Sequence, residues 1–184
     1  HGLQSYYSYC YNGATPTTAL NESTSELGWT VSTEQNTNTY LQNSDLLWSP
    51  EQETVTYSHS TAYNTGHGDF QIPYKHAMSE VTVTVTAAAG FDGSTNPLSN
   101  TQLILNAMNT VTELNAHSQS FSPLKQETAE NIKSITMRAE SYTTGTLTRD
   151  YTAIVAPGTI LKEDVKLLDI TNAHGNNYTV TITA

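Results

Sequence analysis

The sequence predicts an all-β sandwich, on three observations. Threonine is unusually abundant, 31 of 184 residues. Several segments alternate between Thr and an aliphatic or aromatic residue. Apolar positions at helical spacing are scarce. The Thr side chain is β-branched and stiff at χ1, so it suits an extended backbone with one face in water. Strict alternation gives each strand one apolar and one polar face.

The elements follow in order. Tyr6 to Tyr11 is an aromatic run and reads as a strand. Ala14 to Asn43 is dominated by Thr, Ser, Asn, Glu and Gln, and is expected to form surface loops around one weak strand at Gly28 to Thr33. Thr54 to Ser58 alternates. Phe70, Ile72, Tyr74, His76 and Met78 share one parity, and Val81, Val83 and Val85 share the opposite one. Because the side-chain period is two, the switch predicts a bulge or break at Ser79 or Glu80. Leu103 to Leu114 fits helix or strand, and Gln102 to Ala107 is taken as strand. Further strands are predicted at Ile132 to Ala139, Tyr151 to Ala156 and Asn177 to Thr183. In the last, Tyr178, Val180 and Ile182 form the buried parity. A short helical turn is expected near Glu163 to Leu168. Asn12-Gly13, Asp92-Gly93, Asn96-Pro97, Thr144-Gly145, Pro157-Gly158 and His174-Gly175 supply the turns. Greek-key connections between such strands make a sandwich, as one domain or as two modules, 1–120 and 121–184, dividing near 116–131.

Composition narrows the function. Charged residues are only 13% and hydrophobic residues 36%, with a mean hydropathy of -0.43. A disordered chain of this hydropathy would carry far more charge. The net charge of -10 repels a phosphate backbone and an anionic membrane surface, so nucleic acid is excluded as a partner class. No apolar run approaches the roughly 18 residues a spanning helix needs. The single cysteine, Cys10, rules out an intramolecular disulfide framework. High Thr with low charge suits an extracellular surface. The chain begins at His1 and is read as a processed form or an excised fragment.

No constellation of catalytic residues emerges. His76 has no Asp/Ser or Asp/Cys pair near it in sequence, and is expected to pack beside the bulge with a backbone hydrogen bond. His59, His67 and Asp69 have ligand chemistry, but Thr65-Gly66-His67-Gly68-Asp69 reads as a turn and implies no further ligand. Glu51, Glu53, Asp69, Glu127, Glu130, Glu163 and Asp164 form no calcium loop, and Glu163-Asp164 reads as a solvated turn or helix start. Ser44 and Ser79 lack a nucleophile-elbow context. Cys10 reads as buried. Trp29 and Trp48 read as core anchors. Tyr6, Tyr7, Tyr9 and Tyr11 occupy both faces of their strand, one parity entering the core and the other a candidate sugar-stacking platform. No catalytic, cofactor-binding or metal residue is therefore assigned, no cofactor is expected, and the chain is read as a non-enzyme.

Four stretches carry a resemblance. Asn43-Ser44-Asp45-Leu46-Leu47-Trp48-Ser49 is followed by Ile72-Pro73-Tyr74-Lys75-His76-Ala77-Met78-Ser79-Glu80-Val81, then by Tyr151-Thr152-Ala153-Ile154-Val155-Ala156-Pro157-Gly158-Thr159, then by Asn176-Asn177-Tyr178-Thr179-Val180-Thr181-Ile182. In this order and rough spacing they resemble the fimbrillin family of Bacteroidetes, over roughly residues 43 to 184. The first 40 residues match only loosely. The resemblance implies tandem sandwiches of transthyretin-like topology, export through a lipoprotein precursor, and display on the outer surface. It implies a structural subunit or adhesin of fimbriae (pili) that partners other fimbrial subunits by strand exchange. Cys10 has no small residues before it, so it is not the family's lipobox cysteine, and any lipid anchor belongs to a precursor. A chain lacking terminal strands would leave a groove or edge that a neighbour's strand could fill. The alternative function is a monomeric module binding a carbohydrate or glycoprotein of a host or bacterial surface.

Overall fold

The computed structural model describes residues 6–11, 18–21, 26–52, 74–115, 120–122, 130–158, 165–171 and 177–181. Fourteen strands and one short helix are found among them.

Strand β1 (Tyr6–Tyr11) pairs antiparallel with β4 (Leu46–Gln52), which pairs with the two-residue β5 (Lys75–His76). Strands β2 (Thr18–Asn21), β3 (Glu26–Thr30), β8 (Val111–Asn115) and β9 (Ser120–Ser122) form a second sheet in that order. A third sheet has the order β10 (Ile132–Thr136), β7 (Gln102–Asn109), β13 (Lys166–Thr171), β14 (Asn177–Thr181). The fourth is β11 (Arg138–Ala139), β12 (Thr148–Val155) and β6 (Ser79–Thr86). Every pair within these sheets is antiparallel, the all-β sandwich architecture the Thr/Val alternation predicts.

The sheets close over one core because the chain changes sheet in mid-segment. Residues 102–115 split at buried Thr110, whose N–H donates to the Asn131 carbonyl (3.0 Å) while its own carbonyl accepts from the Val31 N–H (2.9 Å). The predicted single strand at 132–139 splits at buried Met137, whose N–H donates to the Leu103 carbonyl (3.0 Å). Strands β5 and β6 part at Ala77 and Met78, both buried. Each switch lets one segment contribute side chains to two sheets. Leu27, Trp29, Leu46, Trp48, Leu103, Leu105, Leu114, Ile135, Met137 and Tyr151 thus join one cluster, drawn from both sides of residue 120.

Three expectations need correction. The parity run ending at Met78 does not hold: Tyr74, Lys75 and His76 are all exposed, and adjacent Ala77 and Met78 are both buried. The break therefore falls just before Ser79, where the Ala77 N–H reaches back to the Leu46 carbonyl (2.7 Å). The polar stretch 14–43 is more than loops around one strand. It contributes β2, β3 and helix α1 (Asn38–Ser44), and Leu27, Trp29 and Val31 lie among the most buried side chains. Three apolar residues at period two suffice to pin a strand inside, whatever the average polarity around them. The helical turn expected up to Leu168 is not found at 166–168. That span opens β13, a central strand bonded to β7 and β14 on its two sides. Two ladders of tertiary hydrogen bonds outweigh a weak local helical preference. Glu163 and Asp164 lie outside the described residues, as do Thr54 to Ser58.

Turn chemistry agrees with expectation. Asn96, Gly145 and Gly158 all have positive φ (47°, 90° and 86°). Helix α1 starts where Thr37, in extended conformation, accepts from the Tyr40 N–H, and stops at extended Asp45.

Candidate functional site: an open sheet edge

Among the described residues, strand β6 is the outer strand of its sheet. Its sequence, Ser-Glu-Val-Thr-Val-Thr-Val-Thr, puts Val81, Val83 and Val85 half-buried against the core and Thr82, Thr84 and Thr86 in solvent. Inward β-branched residues hold the strand down while outward Thr hydroxyls remain hydrated.

The register shows where its backbone points. Thr86 faces Thr148 and Ser79 faces Val155. One step beyond, the Ala87 N–H donates to the Leu147 carbonyl (2.8 Å). In an antiparallel ladder, hydrogen-bonded and non-hydrogen-bonded pairs alternate. The odd residues 79, 81, 83 and 85 therefore bond β12. The other side of β12 agrees, because the Asp150 carbonyl accepts from the Glu140 N–H (2.9 Å) and so points away from β6. Glu80, Thr82, Thr84 and Thr86 then direct their N–H and C=O groups outward, where no strand pairs with them among the described residues. At the non-hydrogen-bonded pair Thr84–Asp150 the side chains meet, and the Thr84 hydroxyl donates to Asp150 Oδ1 (2.6 Å). An eight-residue edge of this kind usually carries Lys, Pro or a bulge to block pairing. Residues 81–86 carry none.

The loops at the far end of β6 are locked together. Asp92 caps a 3-10 turn, Gly93–Thr95, by accepting from the Ser94 N–H (2.9 Å) and hydroxyl. Those bonds hold the Asp92 carboxyl below the ordinary carboxylate range. The Gly145 N–H donates to Asn96 Oδ1 (3.1 Å). Gly93 passes so close to Gly145 that a Cβ there would sit 2.2 Å from the Gly145 carbonyl oxygen. Arg149 ties the neighbouring segments, donating to the Leu98, Ser99 and Glu140 carbonyls and lying 5.7 Å from the centroids of the Tyr142 and Tyr151 rings.

Interior polar groups are mostly structural. Gln35, fully buried, donates from Nε2 to the Ile154 and Ser32 carbonyls (2.8 Å each) and accepts the Ile154 N–H at Oε1 (2.7 Å). Its amide thus replaces a strand neighbour for β12 beyond the end of β11. Ser44 is also buried, donating to the Tyr40 carbonyl and accepting from the Ser32 N–H, so it is a helix-end brace and not a nucleophile. Trp29 Nε1 donates to the Ser44 carbonyl (3.0 Å). Trp29 and Trp48 are both buried, as core anchors should be.

His76 differs from expectation. It lies beside the strand break but is exposed, and its Nδ1 bonds Asp45 Oδ2 at 2.7 Å. Asp45, 31 residues away, was missed because only the β4–β5 register, with Leu47 opposite His76, brings them together. Asp45 Oδ1 is buried with no hydrogen-bond partner among the described residues. Among the described residues His76 bonds no Ser, Thr or Cys. Ser79 is exposed at the start of β6, and Glu130 is exposed. His59, His67, Asp69, Glu53 and Glu127 lie outside the described residues, as do the side chains of Glu51, Cys10, Tyr6, Tyr7, Tyr9 and Tyr11. Among the described residues no three His, Cys, Asp or Glu side chains gather as metal ligands, and no helix is long and apolar enough to cross a membrane.

No curated protein matches the chain. Among solved structures, a candidate cell adhesion protein of Bacteroides uniformis ATCC 8492 is similar in fold, with TM-score 0.56 and 14% identity over 96% of this chain and 58% of that one. The chain therefore spans a little over half that protein's length. The fimbrillin-like family model matches residues 3–184, nearly the whole sequence. With its antiparallel sandwich and its alternating Thr/Val edge, this chain belongs to the fimbrillin-like family.

Proposed function

We propose that this chain serves as a cell-surface fimbrial or adhesive subunit that joins its neighbours through added β-strands. The family match over residues 3–184 carries the fimbrial reading. The open edge of β6 supports strand addition. An incoming strand would find outward N–H and C=O groups at Glu80, Thr82, Thr84 and Thr86, and alternating side-chain rows to fix its register. The work is mechanical: hydrogen bonds laid side by side along two strands share a load applied along them.

The sandwich suits that work. Strand β7, which precedes residue 120, pairs with β10 and β13, which follow it, so tension entering on either side of residue 120 reaches the same core. The family points to a structural protein. A monomeric glycan-binding module is the second reading: its candidate platform, Tyr6, Tyr7, Tyr9 and Tyr11, has side chains outside the described residues, and among the described residues the exposed aromatic side chains Tyr40, Tyr74 and Phe91 stand on three different segments.

Immunogold electron microscopy of cells bearing the protein tests the reading. Label along filaments, at their tips or at their bases is expected. Filaments free of label, with the protein confined inside the cell, would overturn it.

A further inference from the structure

The edge of β6 has an internal symmetry that selects its partner. Residues 81–85 read Val-Thr-Val-Thr-Val, the same in both directions about Val83. The outward-bonding positions are 80, 82, 84 and 86, also symmetric about 83. We propose that β6 pairs antiparallel with β6 of a second copy of this chain, on a two-fold axis through Val83.

In this register Thr82 faces Thr84 of the second copy, and Glu80 faces Thr86. Both are hydrogen-bonded pairs, so every outward N–H and C=O from Glu80 to Thr86 finds a partner. Val81 faces Val85 and Val83 faces its own copy, which extends the half-buried valine row across the junction. Thr faces Thr on the solvent side, a favourable cross-strand pairing. No like charges oppose each other: Glu80, the strand's only charged residue, sits opposite a threonine. Sliding the register by one residue would set bonding positions against non-bonding ones. Sliding it by two, which moves the axis by one residue to Thr82 or Thr84, would leave part of the edge unpaired.

The contact is isologous, so it closes on itself and joins subunits in pairs. It links copies side by side, and end-to-end growth of a filament would use other edges. The ladder from Glu80 to Thr86 is about 24 Å long at roughly 3.4 Å per residue, a small interface, so pairing is expected to be weak and concentration-dependent. The proposal rests on the reading of this chain as a subunit joined through sheet edges, and names the partner at one of them.

Cysteine cross-linking tests the register. In a Cys10→Ser background, Val83→Cys places two thiols directly opposite across the axis, within disulfide range. Thr84→Cys places them on a diagonal, about 7 Å or more apart. Mild oxidation should give a covalent dimer of Val83→Cys and leave Thr84→Cys monomeric. Adding Thr82→Pro, which removes an outward N–H and leaves the β12 ladder intact, should abolish the cross-link without changing the circular dichroism spectrum. Sedimentation of the unmodified chain should show a monomer–dimer equilibrium. A strict monomer at about 0.5 mM, weaker than the micromolar range of ordinary specific contacts, would overturn the proposal. Cross-linking of Thr84→Cys in place of Val83→Cys would overturn the register. Neither failure touches the fimbrial reading, which stands or falls on filament labelling alone.

Discussion

Replacing Gln35 by Leu should be among the most damaging single changes in this chain, although the new residue is apolar and of similar size. Gln35 is fully buried and its amide bonds both the N–H and the C=O of Ile154, which is itself buried. Leucine leaves those two groups without partners in a dry interior. Each orphaned group costs about 1–3 kcal/mol, so the pair costs about 4 kcal/mol. The third bond, to the Ser32 carbonyl, adds little because Ser32 is only half-buried and water can replace the amide. A chain of this length loses about 2–4 °C of Tm per kcal/mol, giving a drop of about 12 °C by scanning calorimetry. Gln35→Glu sharpens the test. An ionised carboxylate at this position would face two carbonyls, so burial and those carbonyls push its folded pKa above the unfolded value. The sign follows: below the unfolded pKa both states are protonated and the charge penalty is absent; as pH rises toward and through the folded pKa the penalty grows to its full size. Gln35→Glu should therefore come closest to the parent's stability near pH 4 and fall away toward pH 8. A Gln35→Leu protein melting within about 2 °C of the parent, less than 1 kcal/mol, would refute the idea that a side-chain amide completes the β12 ladder.

Gly93→Ala should lower stability by more than about 1 kcal/mol, because its Cβ would meet the Gly145 carbonyl oxygen at 2.2 Å; urea denaturation reads this directly, and an unchanged midpoint would mean the two loops are not locked. Tyr151→Phe leaves the Thr101 carbonyl without the Tyr151 hydroxyl (3.1 Å) and should cost about 1 kcal/mol. Burial raises the Tyr151 pKa above its ordinary value, partly offset by Arg149 and the bond to Thr101. Its contribution is therefore present below pH 10 and lost as pH rises beyond, and the phenylalanine protein should lack that part of the alkaline loss. His76→Ala should change stability by less than about 0.5 kcal/mol, since His76 is the exposed member of its pair with Asp45 and water can take its place at Asp45 Oδ2, and filament labelling should be unaltered.

Much of the architecture was legible from residue order. The alternation at 81–86 is one-dimensional information, because a strand that hides one face must repeat every two residues. The same holds for Gln102 to Asn109 and for β12, where the six consecutive buried residues from Tyr151 to Ala156 mark a strand covered on both faces. The positive φ at Asn96, Gly145 and Gly158 was written in residue type. Trp29 and Trp48 announced themselves as core by size and apolarity.

What residue order left open concerns pairs of groups distant along the chain. Asp45 meets His76 because the antiparallel β4–β5 register brings them level, and Gln35 meets Ile154 across 119 residues where a parallel bridge from Glu34 to Thr136 brings its segment alongside β10. Lys166 to Leu168 read locally as a helical turn and became strand because β7 and β14 waited on either side. The break before Ser79 fell where the Leu46 carbonyl could capture the Ala77 amide. By itself the sequence determined the fold class and most strand positions, since burial periodicity and turn dihedrals are properties of neighbouring residues. Sheet order, and with it which edge stays open, was decided by the tertiary structure, since hydrogen-bonding partners across a sheet depend on how the whole chain packs.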